Sequence, residues 1–171
     1  GSISLTGGRI DDLKLRDYRE TLDPGSDVVT LLTPEGVDDA YYALFGWSPG
    51  TGLTIDQVPT AETVWTAPED ATLGLGSDVT LTWENGSGLI FRRTISVDED
   101  FIFTVTQSVE NASENTVRLA PYGLIARHGE PNNLKGFFII HEGAIRQTGT
   151  EMNELGYDDL RDLDPDPRWG S

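Results

Sequence analysis

Two histidines, His128 and His141, are the side chains best suited to acid-base or metal chemistry, and each has a carboxylate close by in sequence, at Glu130 and Glu142. Imidazole and carboxylate together can hold a divalent metal or pass a proton. Their spacing matches no standard motif. On an extended segment His141 and Glu142 leave opposite faces, which argues against joint ligation. A structural or surface role is the simpler reading of both, and neither a metal site nor a catalytic residue is assigned.

Three pairs of adjacent acids, Asp11-Asp12, Asp38-Asp39 and Asp158-Asp159, invite comparison with glycosidases, which work with two carboxylates. That chemistry needs the pair held across a sugar, whereas neighbours on a strand diverge, so a working pair would have to come from separate strands. No calcium loop of the EF-hand pattern is present. Gly74 and Gly76 lack the fingerprint of a phosphate cradle and read as turn residues. No serine sits in a nucleophile elbow. Cysteine is absent, which excludes disulfides, thiolate metal sites and cysteine nucleophiles. No cofactor is implied.

Binding is better represented than catalysis. Tyr41, Tyr42, Phe45 and Trp47 come faster than strand alternation requires, and Trp65 falls in a loop-rich stretch. Tyr42, Trp47 and Trp65 are candidates to line a groove for sugar or extended polypeptide. The simpler reading puts the same rings in the core. The charge limits the partners: 29 acidic residues against 12 basic ones give a formal net charge of -17. With no concentrated basic stripe, nucleic acid and anionic lipid are poor choices. No run approaches the roughly 20 apolar residues that span a bilayer, and no signal peptide is visible.

The elements that must position these residues are strands. Short strands are expected at residues 3–5, 9–15 and 28–32, then a dense apolar run from Ala40 to Trp47, closed by Ser48-Pro49-Gly50. Residues 51–77 are punctuated by Gly, Pro and Asp, with one plausible strand at Glu62 to Thr66 and a helical turn near Asp56 to Val58. The clearest alternation runs from Asp78 to Tyr122. Val79, Leu81 and Trp83 share a face, as do Leu89, Phe91, Arg93, Ile95 and Val97, then Phe101, Phe103, Val105 and Val109, with a fourth strand through Val117 and Leu119. After Pro121 come a short apolar piece at Leu124-Ile125-Ala126, a strong strand from Lys135 to Glu142 and a modest one from Ala144 to Gln147. The body of the domain is drawn at residues 1–147. Residues 148–171 form an acidic segment with Asp-Pro-Asp-Pro at 164–167, in which Glu151 to Leu160 has some helical character.

Face matching sets the expected register, because a one-residue slip turns a whole apolar face outward. A three-residue loop at Asn85-Gly86-Ser87 sets Trp83 against Leu89 and Leu81 against Phe91. The loop at Asp98-Glu99-Asp100 pairs Val97 with Phe101 and Ile95 with Phe103. Arg93 then falls opposite Val105 on the buried face, where an unpaired guanidinium would be costly. It is expected to reach the sheet edge or meet a carboxylate, or to cover apolar surface with its stem while its head stays in water.

Several stretches carry a resemblance. The opening from Gly1 to Leu13, Tyr18-Arg-Glu-Thr21, Tyr41-Tyr-Ala-Leu-Phe-Gly-Trp47, Leu89 through Val109, Val117-Arg-Leu-Ala-Pro-Tyr-Gly123, Ala126-Arg-His-Gly-Glu-Pro131 and Phe138-Ile-Ile-His-Glu-Gly143 resemble the large periplasmic domain of the YidC/Oxa/Alb family of membrane protein insertases, in its alphaproteobacterial form. The resemblance implies an all-β, antiparallel β-supersandwich related to galactose mutarotase-like folds, of which this chain is the N-terminal part. It implies a place on the periplasmic side of the bacterial inner membrane, within a multi-pass parent. It also implies an accessory, non-enzymatic role through contacts with substrate membrane proteins or Sec translocon subunits. A half-supersandwich would leave apolar surface and unpaired edges, so self-association is an expectation too. The alternative is a carbohydrate-binding or mutarotase-like enzyme, since the fold's relatives bind sugars.

Overall fold

The computed structural model describes residues 1–131 and 141–162. Alternating apolar and polar residues, broken by Gly, Pro and Asx turns, produce ten strands among them: β1 (Ser2–Ser4), β2 (Arg9–Arg19), β3 (Val28–Leu32), β4 (Tyr41–Pro49), β5 (Val79–Glu84), β6 (Leu89–Val97), β7 (Phe103–Asn111), β8 (Leu119–Arg127), β9 (Gly143–Thr148) and β10 (Glu151–Gly156). A 3-10 turn at Ile55–Gln57 and a short helix α1 (Tyr157–Arg161) are the helical elements among the described residues. Every strand pairing is antiparallel.

The larger sheet runs β1-β2-β4-β8, with β3 paired to the C-terminal part of β2. The smaller runs β5-β6-β7. Both sheets contribute to one core: Trp47 from β4, Val79 and Leu81 from β5, and Leu89 and Phe91 from β6, with Val58 and Trp65 from the stretch that joins the sheets. Each such side chain, taken out of water, contributes about 1.5–3 kcal/mol. The expected all-β, antiparallel architecture is therefore present, as several sheets sharing an interior.

The faces follow the sequence pattern, but both hairpin registers differ from expectation by two residues. Trp83 pairs with Phe91 and Leu81 with Arg93; Val97 pairs with Phe103, Ile95 with Val105 and Arg93 with Gln107. Both loops are closed in the same way. Asn85 Oδ1 accepts from the backbone N–H groups of Ser87 and Leu89, and Asp98 Oδ1 from those of Asp100 and Ile102. The Asx side chain imitates a turn carbonyl and lengthens the loop. A shift of two leaves each side chain on its own face, so face matching could not detect it. Phe101, expected in a strand, lies instead in this loop at φ 61° and is exposed.

Other corrections concern extent. β2 continues to Arg19 rather than ending at Leu15. Residues 119–127, read as separate pieces around Pro121, form one nine-residue strand; its place at the end of the sheet order tolerates a residue without an N–H. Glu62 to Thr66 is not a regular strand but a pair of bridges, Val64 to Thr6 and Thr66 to Thr82. The helical turn near Asp56 is present. Glu151 to Leu160 divides into β10 and α1, and Arg161 ties the helix to Glu130 at 3.1 Å. The β9–β10 hairpin runs across residue 147, where the sequence divides body from acidic segment. The strand expected from Lys135 to Glu142 falls mostly outside the described residues, as does Asp-Pro-Asp-Pro at 164–167.

Candidate interaction site

Arg93 is the organising side chain of the interior. It projects from β6 between the sheets and is fully buried. Its Nη1 donates to the carbonyls of Gly7 (3.0 Å) and Gly8 (2.9 Å), and its Nη2 to the carbonyl of Phe45 and to Gln107 Oε1 (3.4 Å). The guanidinium lies 4.6 Å from the Trp65 ring centre and 5.7 Å from that of Phe45. Neither the expected carboxylate nor solvent is the partner. A planar fork of donors meets carbonyls from three directions at once, which a carboxylate could not replace. Burial pushes the guanidinium down to about 10, with Tyr122 opposing the shift. Among the described residues no acid forms an ion pair with it.

Gln107 completes this arrangement, accepting from Arg93 while its Nε2 donates to Tyr122 O (3.2 Å) and Gly46 O (3.4 Å). It was missed in the sequence, although a polar residue on the apolar face of β7 was the available signal.

The Tyr42, Trp47 and Trp65 rings are only 7%, 7% and 1% exposed. Trp47 lies edge-on to Phe91 (6.0 Å), and Tyr42 packs against His128 (5.9 Å) and under Arg9 (6.0 Å). The three rings belong to the interior and present no open aromatic face. Neither histidine meets a carboxylate among the described residues, and no group of three or more His, Asp or Glu there could hold a metal. Of the acid pairs, Asp11 is buried and lies 3.7 Å from Arg9, which also bonds Glu35. Burial raises the Asp11 carboxyl above the usual range; Arg9 pulls it back and Asp12 pushes it further up.

An open apolar surface lies elsewhere, at the end of the sandwich. A cleft of about 590 Å³ has Ile3, Leu5 and Leu13 on one wall and Val79, Leu81 and Phe103 on the other, with residues 67–73 alongside and Phe101 at its border. Its walls belong to the two sheets, which the bridged stretch 63–66 joins before the chain enters the lining residues Ala67 and Pro68. Trp65 N–H donates to Leu5 O, Gly7 N–H to Thr63 O, and Thr66 exchanges both of its backbone bonds with Thr82. This arrangement can seat an apolar chain; it holds no assembled set of reacting groups.

The class these features define is an antiparallel β-domain with an open apolar cleft. The chain belongs to the YidC periplasmic domain family, whose model matches residues 1–169. It is 60% identical over its full length to the membrane protein insertase YidC of Ruegeria sp. (strain TM1040), covering 28% of that protein. It is 56% identical, over 96% of this chain and 27% of the relative, to the insertase of Dinoroseobacter shibae. With the insertase of Ruegeria pomeroyi it shares 51%, over the whole of this chain and 29% of the relative. The chain thus spans little more than a quarter of the curated relatives it matches. No solved structure matches it significantly.

Proposed function

We propose that this chain is the accessory periplasmic module of a multi-pass inner-membrane insertase. In this reading it assists insertion and folding through contact with polypeptide, either Sec translocon subunits or the membrane proteins being inserted. The observation that carries the reading is the family match over residues 1–169, in a chain that spans about a quarter of its insertase relatives. No helix among the described residues is long and apolar enough to cross a membrane, so any insertion step would rest with the remainder of such a parent. The module's offering is then the cleft between the sheets. Trp47 and Trp65 serve it from behind, sharing the core cluster of Val79 and Leu81, which form its wall, while Tyr42 packs elsewhere, against His128 and Arg9.

Two finer points belong to the same proposal. The stacked sheets are the N-terminal part of a β-supersandwich of the galactose mutarotase type, a reading supported by two antiparallel sheets around a shared core. Self-association through β8 is supported by exposed Leu124 and Ile125 on that strand, the last of its sheet among the described residues. No specific observation favours sugar chemistry.

The test is photo-crosslinking in membranes, with reactive residues at Leu5 and Phe101 beside the cleft and at fully exposed Leu22 as a control. Labelling of a translocon subunit or a nascent membrane protein from the first two sites is expected. No such labelling, together with saturable sugar binding by the isolated domain, would overturn the reading.

A further inference from the structure

The cleft is also a gap in a line of backbone pairing. Residues 63–66 pair on one side with residues 5–7 and on the other with Thr82. At that level a single strand fills the space between the two sheets, so the sheet edges stand about 10 Å apart there. Beyond Thr66 the chain enters Ala67-Pro68, and Pro68 has no N–H to donate. Among the described residues no bridge to β5 follows that of Thr66, although β5 runs on to Val79.

Strand geometry fixes what faces the vacated position. Both backbone groups of Thr82 point at Thr66, so those of Thr80, two residues away, point to the same edge. Among the described residues they meet no backbone partner on that side. Leu5 O accepts from Trp65 N–H, and Ile3, on β1 at the end of the larger sheet, lines the cleft from the other wall. Two short strand edges, those of β1 and β5, therefore border the cleft, with Leu81 in its apolar lining.

The surroundings are predominantly acidic. Asp12 lines the cleft, Glu69 and Asp70 lie in the segment alongside it, and Glu99 and Asp100 precede Phe101 in the bordering loop. Against them stands Lys14.

We propose that the cleft is a β-augmentation site. It takes an extended polypeptide segment that pairs with the open edges of β5 and β1, places alternate apolar side chains on the cleft floor, and carries Lys or Arg at its flanks. This rests on the reading that the domain contacts polypeptide, and it names the segment's chemistry and the place it enters. Main-chain bonds supply affinity that depends little on sequence, while pocket and charge set the preference. A single strand satisfies both walls because the bridged segment already spans the same separation.

The experiment uses this chain and fluorescent peptides of about eight residues, long enough to cross the site as one strand. One alternates Leu and Thr and ends in Lys pairs; a second ends in Glu pairs; a third is the Lys peptide with alternate backbone nitrogens methylated. Fluorescence anisotropy should show the Lys peptide binding at least about ten-fold more tightly than either of the others. Thr80→Pro removes an N–H that points away from β6, and Ala71→Trp fills the cleft from its rim without touching the β5–β6 ladder. Each should weaken the Lys peptide by about ten-fold or more while the thermal melt stays cooperative. If Thr80→Pro fails to fold, Ala71→Trp alone decides. Binding that both variants leave unchanged overturns the cleft assignment and leaves contact with polypeptide standing. Equal binding of the methylated peptide, or no binding of the Lys peptide, overturns the augmentation mode. Failure of the crosslinking at Leu5 and Phe101 would instead sink the broader reading.

Discussion

The guanidinium of Arg93 lies 4.6 Å from the centre of the Trp65 ring, both side chains sealed from solvent. A cation over an indole face gains about 2 kcal/mol or more when desolvated. The contact joins β6 to the bridged segment 63–66, and Arg93 also reaches the carbonyls of Gly7, Gly8 and Phe45. One side chain thereby holds both sheets and their connector in a fixed relation.

Arg93→Ala should cost about 3–5 kcal/mol, because it empties the space and strands carbonyl groups that have lost their donor. Arg93→Lys keeps the charge without the planar fork and should lose about 1–3 kcal/mol. Urea denaturation followed by tryptophan fluorescence measures both. An alanine variant within 1 kcal/mol of wild type, on the order of an ordinary surface change, would mean the carbonyl cradle contributes nothing.

Gly8→Ala combines a left-handed φ of 61° with a Cβ that would strike Arg93 Nη1 and come within 3.2 Å of Trp65 Nε1. Gly36→Ala has φ 91° and open space around its Cβ. The second should cost only the backbone penalty, about 1–2 kcal/mol. The first should exceed it by about 1–3 kcal/mol, as overpacking does. Equal losses in thermal denaturation would show that Gly8 is required for φ alone.

Asn85→Ala and Asp98→Ala each remove an acceptor for two loop N–H groups, and each should destabilise by about 1 kcal/mol. The two loops have no hydrogen bond between them, so the double variant should show additive losses in equilibrium unfolding. A loss at one site only would mean that the two loops do not close by the same means.

The Asp11 carboxyl is raised in the folded state, chiefly by burial, so between its unfolded and folded values the native protein binds more protons. Its contribution is favourable below the unfolded value of 3.8 and is lost as pH rises through the folded value. Asp11→Asn should therefore gain relative to wild type as pH is raised from about 3 to about 7, the direction that linkage requires. Melting temperatures across that range provide the comparison. A variant that loses ground as pH rises would show that the Arg9 pair outweighs burial.

Strand identity and facing were legible because alternation is local: Val79, Leu81 and Trp83, or Leu89, Phe91 and Ile95, declare their faces within a few residues. Register was not, since sliding a hairpin by two residues leaves every face as it was. The deciding bonds, donated by backbone N–H groups to Asn85 Oδ1 and Asp98 Oδ1, belong to the loops. The partners of Arg93 were out of reach for another reason. They are backbone carbonyls 48 to 86 residues away, and a carbonyl has no signature in sequence. Trp65 reads in the sequence either as a groove-lining ring or as a core ring, because its loop-rich segment offers only one plausible short strand to place it. It is buried because that segment is wedged between two sheets, a relation only the tertiary fold creates.

The double bridging of residues 63–66 has a consequence for the newly made chain. Residues 5–7 leave the ribosome before the segment that pairs with them, which lies nearly sixty positions later, and Arg93, which anchors Gly7 and Gly8, comes later still. The head of the domain must wait, unpaired, while its closing pieces are synthesised, and closure over such separations is slow. During that wait it is the chain's own negative charge, distributed along its length, that discourages premature contacts with its neighbours.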